Sequence, residues 1–349
     1  MNLHTKEKLL YQDLESILAL LGRDIETLRG KSLFITGGTG FLGRWILETM
    51  HYANQKLRAE VHVTVLSRNP ENFTQKAPHL ATSPYFKLVR GDVRSFDLPE
   101  DIYDFIIHAA ADSSSETNIN QPLIMVETIV EGTRRMLEFA LQCQAKSFLF
   151  VSSGAVYGPQ PRSMSHISES FLGAPDMCSP DAAYAEGKRM AETLCSIYAR
   201  QFDLNIKIAR CFAFIGPFLA LNGRFAAGNF IRDLIAGKPI KVRGDGTALR
   251  SYLYAADLVV WLLKILLNGK PAYPYNVGSD EAVSIRQLAE KIAATVDPSR
   301  QIEIAQKPVA DVLPERYIPD VARAVKDLGL GRTYGLNEAI ARTIKWNTE

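Results

Sequence analysis

Short apolar runs punctuate the chain, and each stops at small or polar residues. The runs at 32–36, 61–66, 86–89, 105–107, 148–151 and 206–211 are rich in Val, Ile, Leu and Phe and have the length of strands. Between several of them the apolar spacing lengthens to that of a helix, over 42–50, 122–142 and 182–200. Continuous apolar strands alternating with helices predict a parallel sheet covered on both faces, a doubly wound α/β fold. The shorter elements that follow predict a smaller C-terminal α/β lobe, interleaved with the first. The expected organisation is a helical extension over 1–30, a main domain over 31–215 and the lobe over 216–349. The Pro-, Gly- and Ser-rich stretches 163–179 and 216–223 are where a lobe boundary or a cover over a site would lie. Ahead of the first strand, Leu9, Leu10, Leu14, Ile17, Leu18 and Leu21 fall at helical spacing among charged residues. This reads as an amphipathic helix packed on the main domain, with self-association as the alternative.

The first strand, Ser32-Leu-Phe-Ile-Thr36, runs straight into Gly37-Gly-Thr-Gly-Phe-Leu-Gly43 and then a helix. That order is what a dinucleotide-binding loop requires. Gly37 permits the tight turn, Gly40 lets backbone approach a pyrophosphate, and Gly43 lets the helix pack against the strand. Gly37, Thr39, Gly40, Phe41, Leu42 and Gly43 are thus the expected phosphate cradle, at a helix N-terminus whose N–H groups lack partners. The main domain is therefore read as a Rossmann-type NAD(P)-binding domain. The second strand ends at Ser67-Arg68-Asn69, without the acid that holds a ribose 2′-hydroxyl, so Ser67 and Arg68 favour NADP over NAD. Asp92 and Val93 stand where the adenine end would lie. Ala109, Ala110 and Ala111 leave room for a flat ring or a phosphate, and a close-packed turn is the equal alternative for either stretch.

Composition narrows the classes. Lys plus Arg total 40 against 38 for Asp plus Glu, so no basic surplus points to nucleic acid or a membrane surface. No apolar run is long enough to span a bilayer, and the first residues lack the apolar core of a signal peptide, so a cytoplasmic protein is expected. Cys143, Cys178, Cys195 and Cys211 have neither metal-like nor redox-like spacing, so reduced thiols and no metal site are expected.

The chemistry gathers after the fifth strand, at Ser152-Ser153-Gly-Ala-Val-Tyr157-Gly, followed by Tyr184-Ala-Glu-Gly-Lys188. Tyr and Lys four apart share one helix face. An ammonium beside a phenol lowers its pKa from ~10 and lets the oxygen act as a base. A Ser153 hydroxyl can hold the same substrate oxygen. The pair Tyr52/Lys56 has equal spacing, but no serine-bearing strand end precedes it. It is expected between the first helix and the second strand, at the sheet's edge, as a decoy. Tyr157 reads as a packing or substrate-contact aromatic. Ligands of doubly wound sheets bind outside the carboxyl ends of the strands, where Ser153 would stand.

Taken together, Gly37–Gly43, Gly91-Asp-Val, His108-Ala-Ala, Ser152–Gly158 and Tyr184-x-x-x-Lys188 resemble the extended short-chain dehydrogenase/reductase family, within it the nucleotide-sugar epimerase/dehydratase group. The resemblance runs from about Lys31 to Trp346 and takes in Arg210-Cys-Phe-Ala-Phe-Ile-Gly-Pro217, 244–257 and Tyr275-Asn-Val-Gly-Ser279. It implies a nicotinamide cofactor, a nucleoside-diphosphate sugar, oxidation at the sugar's C4, and a homodimer through paired helices. It further implies Tyr184 as base, Ser153 as its hydroxyl partner and Lys188 as pKa modulator and cofactor ligand. Arg250 would contact the diphosphate, and Ser113, Asn229 and Tyr317 the nucleotide or sugar. Family dehydratases place Asp-Glu after the catalytic hydroxyl, and decarboxylases a Glu nearby; here Gly154 and Ala155 stand there and cannot shuttle a proton. Ile129 and Ala213 stand where Asn is frequent. Epimerisation is the expected activity, 4-keto-sugar reduction by NADPH the alternative. Dehydration, decarboxylation and a catalytically silent NADP-binding role are disfavoured.

Overall fold

The computed structural model describes residues 5–110, 120–223 and 225–348. The major elements are α1 (Thr5–Leu21), β1 (Ser32–Thr36), α2 (Phe41–Leu57), β2 (His62–Ser67), β3 (Phe86–Arg90), β4 (Phe105–His108), α3 (Pro122–Gln142), β5 (Ser147–Ser153), α4 (Ala183–Phe202) and β6 (Ile206–Cys211). In the second half follow α5 (Ala226–Ile235), β7 (Ile240–Val242), α6 (Ala255–Asn268), β8 (Pro274–Val277), α7 (Ile285–Val296) and α8 (Leu336–Thr348).

Seven strands form one all-parallel sheet in the order β8-β6-β5-β4-β1-β2-β3. The order reverses between β1 and β4, which opens a crevice at their carboxyl ends, the place where such sheets bind ligands. Side-chain alternation divides the core. Leu33 and Ile35 pack with α2 and α6 on one face, while Phe34 packs with Phe96, Phe139 and the α3 side on the other. The Rossmann-type sheet with a smaller lobe is thus as the sequence predicts, and several elements run longer than expected. Helix α2 continues to Leu57, where Arg58 closes it in the left-handed region.

Because β8 lies after the lobe's first elements yet joins the main sheet, the two parts interleave. The lobe contributes small ladders. Residues 240–242 pair with 302–304, and 249–250 lie between 283–284 and 316–317. Helix α6 is apolar nearly all round and fully buried at Leu258, Val259, Leu262, Leu263, Ile265 and Leu266. Its outer side is covered by α1, whose Leu14, Ile17 and Leu21 enter the same core. The N-terminal helix therefore packs on this chain. Among the described residues no helix is long and apolar enough to cross a membrane, and no cluster of His, Cys, Asp and Glu is arranged for a metal.

Candidate active site

The glycine loop is built by close approach. Gly37 has φ of 72°, and a Cβ there would lie 2.6 Å from the Ala109 carbonyl and 2.8 Å from the Ala110 nitrogen. A Cβ on Gly43 would meet the Gly37 oxygen at 2.4 Å, so the first turn of α2 rests directly on the loop. At Gly40 the nearest atom is 3.4 Å away, which leaves that face open to a ligand. The N-terminus of α2 has no side-chain cap and no acidic residue in its first turn. Open backbone at Gly40 and uncapped N–H groups fit a pyrophosphate.

His108 closes the β4 end. Its Nδ1 lies 2.7 Å from Thr36 Oγ1 and its Nε2 3.1 Å from Thr133 Oγ1. Burial first, and the Lys188 ammonium second, push its pKa down to about 3, so the imidazole is neutral. Thr36 Oγ1 also accepts the Ala110 N–H at 3.1 Å, which ties the two strand ends together. At the β2 end Ser67 is buried and Arg68 is exposed. Asp92 is engaged by Arg94, whose Nε and Nη2 each donate to it at 2.9 Å, and its carboxyl is held below the usual range. Val93 packs where a Cβ on Gly132 would come within 2.8 Å of it. Ala111 and Ser113 lie outside the described residues.

Ser153 ends β5, is 8% exposed, and accepts the Ala155 N–H at 3.2 Å. Lys188 projects from α4 toward the same strand and donates to the Val151 carbonyl at 2.7 Å, with its ammonium 4.6 Å from the Phe150 ring centre. Burial lowers its pKa to about 8. Tyr184, one turn earlier, is half-buried against the α3 side of the core. The decoy lies elsewhere. Tyr52 and Lys56 are within α2 itself, not beyond it at the sheet's edge, and both engage Glu15 of α1, at 3.1 and 3.5 Å. Tyr157 is a packing residue, 2% exposed, and donates to Asn276 Oδ1 at 2.7 Å.

The lobe brings Tyr317 to the strand end. A Cβ on Gly154 would lie 2.7 Å from the Tyr317 hydroxyl oxygen and 2.7 Å from the Phe212 ring. Tyr317 pairs in register with Arg250, so one short ladder carries both. The Arg250 guanidinium donates to the Leu249 carbonyl at 2.9 Å and stands 3.8 Å from Glu315. Asn229 accepts from Arg232 at 3.0 Å and lines a cavity of about 600 Å³ with Arg232, Lys238, Lys241, Arg243 and Asp245.

The model of the NAD dependent epimerase/dehydratase family matches residues 33–278. The chain belongs to that family. It is therefore an NAD(P)-dependent enzyme by family. Over 313 residues it is 31% identical to UDP-glucuronic acid decarboxylase 1 of Arabidopsis thaliana, covering 89% of this chain and 68% of that relative. A UDP-glucuronic acid decarboxylase 1 of Xenopus tropicalis is also 31% identical, over 321 residues, 90% of this chain and 72% of the relative. Among solved structures, an epimerase from Methanothermobacter thermautotrophicus superposes with a TM-score of 0.80 at 19% identity, covering 95% and 96% of the two chains. The UDP-glucose 4-epimerase of Thermotoga maritima gives 0.76 at 20%, covering 90% and 98%. The family resemblance read from the motifs is thereby established, while decarboxylases, disfavoured from Gly154 and Ala155, are among the family's members most like this chain in sequence.

Sequence reasoning missed a buried network behind the strand end. Ser152 Oγ donates to Glu192 at 2.5 Å, Arg210 donates to both Glu192 oxygens, and Arg210 reaches the Tyr157 hydroxyl at 2.9 Å. The signal was present, since Glu192 follows Lys188 by four residues on one helix face.

Proposed function

We propose that this enzyme is a nucleoside-diphosphate-sugar epimerase that inverts C4 through a keto sugar. A bound nicotinamide cofactor supplies the hydride chemistry, held by the open Gly40 backbone and the uncapped end of α2. The protein's part is proton transfer and orientation. Tyr184 Oη takes the proton of the C4 hydroxyl and later returns it, while Ser153 Oγ holds the same oxygen. The Lys188 ammonium favours the phenolate. Arg250 holds the diphosphate and Asn229 the nucleoside end, while Tyr317 lies beside the sugar. Inversion requires the keto sugar to present its other face before C4 is reduced again and the proton returns to its oxygen.

The observation that carries this reading over elimination is the make-up of the strand end: Gly154 and Ala155 bring no proton-shuttling carboxylate, and the Tyr317 hydroxyl and Phe212 ring occupy the space beside Gly154. A second reading, decarboxylation of a nucleoside-diphosphate uronic acid after the same C4 oxidation, is favoured by the 31% identical relatives. Incubation with UDP- and dTDP-linked hexoses and hexuronic acids, followed by proton NMR, separates them. A C4 epimer supports the first reading, and carbon dioxide with a nucleotide-linked pentose supports the second; a parallel incubation with a 4-keto-sugar nucleotide and NADPH that consumes NADPH and yields the C4 alcohol identifies a reductase.

For the cofactor the reading is NADP. Arg90 and Arg94 are committed to Glu71 and Asp92, whereas Arg68 is exposed at the β2 end. A charged hydrogen bond to a phosphate is worth about 2 kcal/mol. Arg68→Ala should therefore weaken NADP about tenfold or more and leave NAD nearly unchanged, measured by fluorescence titration of each. Equal weakening of both would overturn it.

The enzyme is further read as a homodimer through α3 and α4, whose Leu123, Ile124, Met190, Ile197 and Phe202 are exposed. Sedimentation equilibrium should give two chains per particle, with Ile197→Asp giving one. A monomeric wild type overturns the assignment.

A further inference from the structure

Glu192 is 9% exposed and sits at the junction of three elements. It lies on α4 one turn beyond Lys188, so the two side chains share the helix face turned toward β5 and β6. Its carboxylate accepts from Ser152 Oγ at 2.5 Å, the neighbour of Ser153, and from Arg210 of β6 through Nε at 3.0 Å and Nη2 at 2.6 Å. Arg210 is itself fixed from behind by Tyr157, and Tyr157 by Asn276 of β8. The chain of bonds runs from the helix that carries the Tyr/Lys pair, through the strand that carries the serine, to the last strand of the sheet.

We propose that Glu192 is a positioning residue, whose carboxylate, clamped by Ser152 and Arg210, holds the lysine-bearing turn of α4 in register with the Ser153 end of β5. The proposal rests on the reading of Lys188 and Tyr184 given above. Glu192 acts in two ways. It ties α4 to β5 and β6 through charge-assisted hydrogen bonds, so that Lys188 and Ser153 keep one spacing. It also supplies negative charge near an ammonium that burial disfavours. Besides Tyr184, which the mechanism above sets beside it, Lys188 faces Cys195 on its own helix, Cys211 on β6 and His108 on β4, with both thiols pushed up and the imidazole pushed down by burial. All three are neutral near pH 7, so they leave Glu192 to carry the charge. Facing Glu192 itself are Arg210 and Tyr157, and Ile129 of α3 meets α4 at Gly187 without bringing charge.

The test is Glu192→Gln in the cofactor-loaded enzyme. The amide preserves shape and removes the negative charge that acts on the Lys188 ammonium. Lys188 should lose its proton at lower pH. The alkaline limb of kcat/KM should move down by about half a pH unit or more, and kcat at pH 7 should fall about tenfold with KM little changed. A folded variant with the wild-type limb and wild-type kcat overturns the proposal. A merely structural role would lower the melting temperature without moving the limb. Should Glu192→Gln not fold, Glu192→Asp decides, since it keeps the charge but withdraws it by about 1.5 Å. A lowered kcat on the wild-type limb supports positioning, and an unchanged kcat overturns it. Tyr184→Phe and Lys188→Met, run alongside, separate the two claims. If either remains active, the reading of the site fails. If both are dead and Glu192→Gln is unchanged, only the present inference fails.

Discussion

Lys188→Met should abolish turnover and stabilise the fold. Lys188 is 2% exposed, and its pKa is lowered from 10.5 to about 8, with burial as the first cause. For a base whose folded pKa is depressed, the cost of burial is fully present below the folded value, here about pH 8. It is relieved as pH rises toward the unfolded value, because the unfolded chain then releases its proton too. A tenfold change in a proton-binding equilibrium corresponds to about 1.4 kcal/mol, so the cost at pH 7 is of the order of 3 kcal/mol. Methionine has a similar unbranched shape and carries no charge. It forfeits the bond to the Val151 carbonyl, which returns about 1 kcal/mol. The net expectation is a gain of about 2 kcal/mol at pH 7, shrinking toward zero or reversing near pH 10. Denaturant titration at both pH values measures it. Turnover should fall about a thousandfold, the scale of a lost general acid–base device. Activity within a few-fold of wild type would remove Lys188 from the mechanism. A variant destabilised at pH 7 would show that the Val151 bond and the Phe150 ring outweigh the burial cost.

That one residue costs stability where it serves chemistry explains what the sequence could and could not disclose. The glycine loop and the Tyr184/Lys188 pair were legible because each is a local pattern whose spacing is imposed by one turn or one helix. Strand ends were legible because apolar runs stop there. Tyr317 against Gly154 was not, since that contact joins residues far apart through the pairing of 316–317 with 249–250, and two-residue ladders have no periodicity to read. The missing carboxylate at 154 was visible; that an aromatic hydroxyl fills the space was not. The position of Asp92 after β3 is legible in the sequence, whereas its clamp by Arg94 two residues on depends on backbone curvature. The Tyr52/Lys56 pair differs from Tyr184/Lys188 in sequence by the lack of a strand-end serine before it, and in the structure both of its side chains engage Glu15. Its placement was wrong because α2 runs seven residues past the apolar stretch that predicted it, from Met50 to Leu57.

The amphipathic stretch at 6–21 was legible as a helix, and its partner was not, because nothing local distinguishes packing on α6 from packing on a second chain. The structure makes its contribution to stability specific. Asp13 is fully buried, accepting from the Tyr254 hydroxyl at 2.6 Å and from Arg342 Nη2 at 2.6 Å, so α1, the residue that precedes α6, and α8 meet at one carboxylate. Burial raises the Asp13 pKa, with Tyr254 and Arg342 opposing. A carboxyl with a raised folded pKa binds its proton more readily folded than unfolded. Its burial cost is therefore present at neutral pH and eases on acidification through that raised value. Removing the side chain is nonetheless harmful, because Arg342 keeps its charge with its chief acceptor gone. Asp13→Ala should cost about 3 kcal/mol at pH 7, the scale of breaking a buried pair by deleting one partner, and Asp13→Asn less. Deletion of residues 1–28 should be far worse. It strips Leu14, Ile17, Leu21, Ile25 and Leu28 from the core and uncovers α6, and five buried side chains at about 2 kcal/mol each match the whole stability of an ordinary domain. The truncated chain should be insoluble or bind a hydrophobic dye while folding only partly. A soluble, cooperatively melting truncation would mean that the sheet and α6 are stable without their cover, and that the helix serves another purpose.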